Sequence, residues 1–266
     1  MAKLQGTRLG AFRAYFFGFF ICTAGLMFGF DTGCVGEQRY RSFLYIQRPS
    51  ANLSLLTYTG GVLTLKSYKR DFGFTNNTSV SAVMVSIQNV GAFLAALLIF
   101  PVSERLGRKK TIMGACAIFC LGVILQVVPS HSLLCFYIGR FIAGLGLGAA
   151  TAVAPAYNAE MAPKEIRGKV GSGVQLMFAA GVMISYWIDY GVTNDMPVSS
   201  AQWQIPIGLQ LVPAAVLGLG LFAFPESCRW LAKKERYEEA WASLSWIRGD
   251  DGEYCSSNEF PITSAC

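Results

Sequence analysis

The sequence predicts an all-α membrane protein with six transmembrane helices, and three observations carry that prediction. Hydrophobic residues make up 53% of the 266 residues and charged residues only 14%, against roughly 25% charged in a soluble domain. The mean hydropathy is positive, +0.42. Six apolar segments follow one another, approximately 14–33, 79–101, 111–128, 133–154, 170–190 and 204–224. Each is near the roughly 20 residues that cross a hydrocarbon core.

The first segment, 14–33, is too long for the apolar stretch of a signal peptide, and no small-residue cleavage site follows it. Its Phe-rich run "YFFGFF" reads as a lipid-facing or interhelical stripe. Most connections are short, as in "PSHS" (129–132), so neighbouring helices must run antiparallel. The Lys and Arg residues then set the orientation. One side holds Lys3, Arg8 and Arg13, then "SERLGRKK" (103–110), "APKEIRGK" (162–169) and "ESCRWLAKKER" (226–236). The other side holds "PSHS" and "GVTNDMPVSSAQ", which carry neither. The basic side is expected to be cytoplasmic, with residues 1–13 as a cytoplasmic N-terminus and both ends inside. The loop 34–78 departs from this rule with Arg39, Arg41, Arg48, Lys66, Lys69 and Arg70. It also carries glycosylation sequons at Asn52, Asn76 and Asn77, which suit an outer loop of a glycoprotein.

Composition excludes several functions. The net charge of +6 says little about nucleic acid in a chain of this hydropathy, and no nucleic-acid partner is expected. Cys22, Cys116, Cys120 and Cys135 lie inside apolar runs, where a thiol behaves as a small hydrophobe. Cys116 and Cys120 have helical spacing without a histidine partner, so no metal site is expected. No nucleophile–base pair is visible either, which argues against an enzyme and calls for no cofactor. "GLGLG" (144–148) follows no strand and is not read as a dinucleotide fingerprint. Its small residues at i and i+4 instead let another helix approach closely. His131, in a short outer loop, reads as solvated.

Three residues do not belong in lipid. Asp31 ends segment one, Arg140 lies in "YIGRFIAGLGLGAA", and Gln175 lies in "GSGVQLMFAAG". Intramembrane ionisable groups usually face a cavity or a partner and mark a pathway. Asp31 and Arg140 can pair, and a carboxylate released from a cation can take a proton. The plainer alternatives are an interfacial aspartate and an arginine snorkelling to an outer surface. Gln175 offers a donor and an acceptor to a hydroxylated solute, or equally to a neighbouring helix.

Five motifs in series over about 200 residues carry a resemblance. They are "GFDTG" (29–33), "SERLGRKK" (103–110), "GRFIAGLGLG" (139–148), "PAYNAEMAPKEIRG" (155–168) and "PESCRWL" (225–231). In order and spacing the chain resembles the N-terminal half of a sugar porter of the major facilitator superfamily, of the fungal sugar/proton symporter type. The resemblance implies six transmembrane helices forming one half of a major facilitator fold. It implies proton-coupled sugar symport by alternating access across a lipid bilayer, most naturally the plasma membrane. By the same resemblance Asp31 is the proton-coupling carboxylate, Arg140 its partner, and Gln175 a contact for sugar hydroxyls. Glu104, Arg105, Arg108, Glu160, Arg167, Glu226 and Arg229 match an intracellular charge network that latches the two halves when the carrier faces outward. Departures are Glu104 for the usual Asp, Cys228 for a proline, expected to loosen its turn, and Gln202-Trp203-Gln204 where a W-R pair is common. Other readings stay open: a polyol or quinate-like solute, or a non-transporting half-carrier that senses or binds, which vesicle uptake separates.

The resemblance also accounts for the loop. Removing residues 37–60 joins "GFDTGCVG" to "GVLTLKSYKRDF" and restores the family's G-F-D-T-G-x-x-G-G-V-L-T. Residues 37–60 are therefore read as an insert, the product of a retained intron, or else as a genuine long outer loop. A sugar porter has two six-helix halves around a midplane site. Residues 226–266 read as the start of the central cytoplasmic loop, cut short, with an amphipathic helix over 233–249. The chain is expected to be an incomplete half-carrier.

Overall fold

The computed structural model describes residues 8–35, 65–72, 78–128, 132–162 and 164–248. The proposed insert, the three sequons, His131 and the tail beyond 248 lie outside the described residues. Ten α-helices are described: α1 (Arg8–Val35), α2 (Lys66–Asp71), α3 (Thr78–Leu106), α4 (Arg108–Val127), α5 (Leu133–Met161), α6 (Lys164–Asp195), α7 (Ala201–Leu209), α8 (Leu211–Gly220), α9 (Cys228–Lys233) and α10 (Tyr237–Arg248). A 3₁₀ turn, Leu221–Ala223, follows α8. Among the described residues, six spans are long and apolar enough to cross a membrane: Phe12–Cys34, Val83–Leu106, Arg108–Val127, Leu133–Met161, Ile166–Asp195 and Ala201–Ala223.

The helices outrun the apolar segments, because a helix satisfies its own backbone and need not stop where polar side chains begin. The fourth continues through Pro155 to Met161, and the fifth extends from Lys164 to Asp195. The sixth breaks at Gln210 into α7 and α8. Pro213 explains the break, since its ring removes a donor and crowds the carbonyl one turn back. The helix expected over 233–249 starts later, at Tyr237. Lys233 ends α9 instead, and Glu235, at φ 61°, closes it. Arg236 N donates to Leu231 O and Glu235 N to Ala232 O, both at 3.0 Å, a Schellman closure.

Glycines set how the helices pair. On α1, Gly25, Gly29 and Gly33 form a stripe at i, i+4 and i+8 that meets α6. A Cβ on Gly25 or Gly29 would overlap the carbonyl oxygens of Val174 and Phe178, and one on Gly33 would lie 2.8 Å from the Ser185 side chain. On α5 the small residues of the "GLGLG" run allow close helix approach, as expected, and they divide between two partners. Gly144 and Gly148 face the backbone of Gln88 and Ala92 on α3, while Gly146 faces Ala115 and Phe119 on α4.

Two large apolar cores result among the described residues, with two small clusters beside them. The one at the basic end gathers Phe17, Ile21, Ile112, Tyr157, Leu217 and Phe224. The other, at the opposite end, gathers Met27, Phe30, Tyr68, Phe119, Phe136 and Trp203. Phe17 is fully buried while Phe16 and Phe19 are exposed, so the Phe-rich run of α1 serves both packing and lipid. Short α2 lies within the segment that the sequence marks only as a loop. Tyr68 and Phe72 pack edge-on or tilted against Phe136 and Trp203, Ser67 Oγ donates to Gln202 Oε1 at 2.8 Å, and Trp203 Nε1 donates to Asp71 Oδ2 at 3.0 Å.

Candidate functional site

Asp31 is placed by the glycine stripe. Gly29 and Gly33 face α6, and a residue two positions from either points roughly 200° away around the helix. Asp31 is therefore aimed between α3 and α5, where it is buried. Arg140, fully buried on α5, brings Nη1 to 3.3 Å from Asp31 Oδ1. Both charges are thus buried and paired with each other rather than turned to an outer surface.

A third side chain completes the cluster. Gln88, buried on α3, donates from Nε2 to Asp31 Oδ2 and accepts at Oε1 from Arg140 Nη1 at 2.7 Å. Sequence reasoning missed it, because an amide next to Asn89 in a long apolar helix carries no mark of its partners. The remaining nitrogens of Arg140, Nε and Nη2, have no hydrogen-bond partner among the described residues. Its Cζ lies 5.3 Å from the ring centre of Phe136. Through Phe136 the aromatic cluster of Tyr68, Phe72, Phe136 and Trp203 roofs the ion pair on the Arg140 side.

Asp189 is a second buried acid, inside the fifth apolar segment, and the signal that marks Asp31 also marks this residue. It lies one turn beyond Ser185, whose hydroxyl is 3.1 Å from Cys34 Sγ.

Gln175 lies elsewhere. Its side chain is exposed and makes no hydrogen bond to a described residue. It lines an open cleft of about 240 Å³ together with Phe28, Thr151, Pro155, Val174 and Phe178. The cleft and the Asp31–Arg140 pair share helices α1 and α5, so a shift in one helix is felt at both.

The charged residues at the basic end divide. Arg108 pairs with Glu160 at 3.0 Å, and the Ser227 hydroxyl donates to the same carboxylate. Glu226 Oε1 accepts from the backbone N–H of Lys109 at 2.9 Å and of Ser227 at 3.1 Å, at the start of α4 where the helix dipole favours an anion. Gly107 permits this approach: its φ is +98°, and a Cβ there would lie 2.6 Å from Glu226 Oε2. Glu104 pairs with exposed Lys233 at 3.0 Å, a partner the sequence did not suggest. Arg167 Nη2 donates to Ala162 O at 3.3 Å. Arg105 and Arg229 are exposed and join no described ion pair. Cys228, expected to loosen its turn, is buried with Sγ 3.6 Å from Glu160 O, and Ser227 caps the helix it begins. Of the glutamines at 202–204, Gln204 Nε2 donates to Val127 O at 3.2 Å, so the altered motif is tied into the bundle.

The sequence profile of the family described as "Sugar (and other) transporter" matches residues 17–259. The protein named "Probable quinate permease" of Neosartorya fischeri is 38% identical over 198 residues, 72% of this chain and 36% of its own length. The "Quinate permease" of Neurospora terricola is 34% identical over 199 residues, 72% of this chain and 37% of its own. This chain therefore spans little more than a third of these relatives. Among solved structures, the major facilitator superfamily proton:xylose symporter XylE, bound to 6-bromo-6-deoxy-D-glucose, superposes with a TM-score of 0.73 at 22% identity. The match covers 91% of this chain and 51% of that one. The inward-open xylose transporter XylE from E. coli gives 0.66, with 90% and 53% covered.

Proposed function

Because the chain belongs to the Sugar (and other) transporter family, we propose that it forms the first six-helix half of a proton-coupled carrier for a small polyhydroxylated solute, a sugar first of all. The observation that carries this reading is the buried, roofed cluster of Asp31, Gln88 and Arg140 beside an open cleft bearing Gln175. A buried ion pair is a poor device for stability alone, since desolvation offsets most of its attraction. It is a good device for coupling. Ionised Asp31 is tied to Arg140. A proton on Asp31 removes the attraction and frees α1 relative to α5. A group whose charge state has different energies in two conformations lets the proton gradient bias them.

Gln175 supplies a donor and an acceptor to solute hydroxyls. The cleft is smaller than the roughly 300–1,000 Å³ of enclosed ligand sites, which suits one wall of a site completed by a second half. The basic end faces the cytoplasm, in the plasma membrane. There Arg108–Glu160, with Glu104, Arg105, Arg167, Glu226 and Arg229, forms a latch toward that second half. A second reading of the solute, a quinate-like hydroxy acid, is favoured by the quinate permeases among the relatives.

Uptake into vesicles by a full-length carrier bearing this half tests the reading, with and without an imposed pH gradient. Asp31→Asn keeps the shape of the residue but cannot exchange a proton. It should abolish uphill accumulation and leave solute exchange in place. Gln175→Ala should weaken solute affinity by about three- to tenfold, the worth of one hydrogen bond, with coupling retained. Competition by glucose, xylose and quinate separates the two solute classes. An Asp31→Asn carrier that still concentrates solute in response to the gradient defeats the proposal.

A further inference from the structure

Gln88 touches both members of the ion pair, and chemistry dictates which way its amide points. A guanidinium only donates and an ionised carboxylate only accepts. The amide oxygen must therefore face Arg140 and the amide nitrogen Asp31, as observed. The reach is set by backbone contact rather than by side-chain chance. A Cβ on Gly144, one turn beyond Arg140, would overlap Gln88 O, and one on Gly91 would lie 2.6 Å from Phe141 O. The α3–α5 crossing thus clamps Gln88 against the level of Arg140.

We propose that Gln88 is a positioning residue whose amide turns over when Asp31 takes a proton, so that the same event breaks the hold of Arg140. The proposal rests on the proton-coupled reading above and adds the part that transmits it. In the ionised state Asp31 Oδ2 accepts from Gln88. A proton arriving from the medium forms an O–H bond at that oxygen, and hydrogen then meets hydrogen. Turning the amide by half a revolution lets Oε1 accept the new O–H. The same turn aims the amide N–H groups at Arg140, donor against donor, and leaves the guanidinium only the long, now uncharged contact to Asp31 Oδ1, which its repulsion from the amide breaks. A proton arriving instead at Oδ1 meets Arg140 Nη1 directly, with the same release. Loss of the proton reverses each step.

Among the described residues the other titratable groups near the cluster are Cys34, which faces both Asp31 and Asp189, and Tyr68, which faces Arg140 and Tyr137. Asp189 is the further acid beside Cys34 among the described residues, so its band must be told apart from that of Asp31.

Infrared titration of the purified chain in lipid does this without requiring transport. The carboxylic C=O band that Asp31→Asn removes belongs to Asp31, and Asp189→Asn identifies the other. In Gln88→Met, which keeps length but neither donates nor accepts, the charged carboxylate loses a donor. Its band should then appear at a pH about one unit higher than in wild type. Gln88→Asn, one methylene shorter, should shift it the same way, and serves if Gln88→Met fails to fold by its melting curve. A folded variant of either kind whose Asp31 band titrates as in wild type overturns the proposal and leaves the proton-coupled reading standing. A wild-type chain in which Asp31→Asn removes no titrating band overturns both.

Discussion

Asp71 ends α2 with its side chain only 6% exposed. Burial by itself pushes its carboxyl pKa up. Hydrogen bonds from Ser200, Trp203 and Arg70, with the charge of Arg70, together push harder and hold it below the usual carboxylate range. Arg70 is 59% exposed, so its ion pair adds little. Because the folded value lies below the unfolded one, the stabilisation is fully present above the unfolded pKa and is lost as pH falls through the folded one. Asp71→Asn should therefore lower the melting temperature of the chain in detergent at neutral pH. The gap from wild type should close as the pH drops from about 5 to about 3. Tryptophan fluorescence reads the transition, since Trp203 is the partner. A gap that stays constant over that range would mean the carboxylate charge is not its source.

At the scale of elements, the glycine stripe of α1 decides where Asp31 points, and a single methyl group tests it. Gly29→Ala would drive a Cβ into Phe178 O and push α1 away from α6. Overpacking of this kind costs about 3 kcal/mol. The expected result is a clear loss of thermal stability in detergent, with Asp31 displaced from Arg140. Gly114, on α4, has open space where a Cβ would sit, with no described neighbour within 4 Å. Gly114→Ala should be neutral, or stabilise by about 0.5–1 kcal/mol through reduced chain entropy. Equal losses in both variants would mean that helix propensity, not the crossing, controls these sites. Motif spacing made the stripe on α5 legible. That Gly144 and Gly148 serve α3 while Gly146 serves α4 was not legible, because facing depends on which helices flank α5 and not on its own residues.

At the scale of the whole molecule, most of the Lys and Arg residues gather at one end of the six spans, the loop 34–78 apart, and that end is expected in the cytoplasm. Lys110 is exposed there, whereas Lys109 is held by the carbonyls of Phe222 and Phe224. Lys110→Cys in sealed cells should resist a membrane-impermeant thiol reagent and react once the cells are opened. Labelling before opening would reverse the assigned orientation. The six spans were legible because each carries its own transfer free energy, residue by residue. Their ends were less so: α5 runs on to Met161 and α6 to Asp195, as interfacial residues keep helical backbone bonds while leaving the apolar run.

The amino-acid sequence alone determined that this chain crosses a membrane six times, which end is basic, and that Asp31, Arg140 and Gln175 are out of place in lipid. Each of those is a local property, set by the solvation energy of a residue and its neighbours in the chain. Tertiary structure alone decided that Gln88 joins Asp31 to Arg140, that α2 roofs them with Tyr68 and Phe72, and that Lys233 rather than an arginine meets Glu104. These are partnerships between residues 57, 52 and 129 positions apart. Solvation energy says that a buried charge needs a partner; only the crossing of helices, set by where their glycines let backbones touch, selects which one it gets.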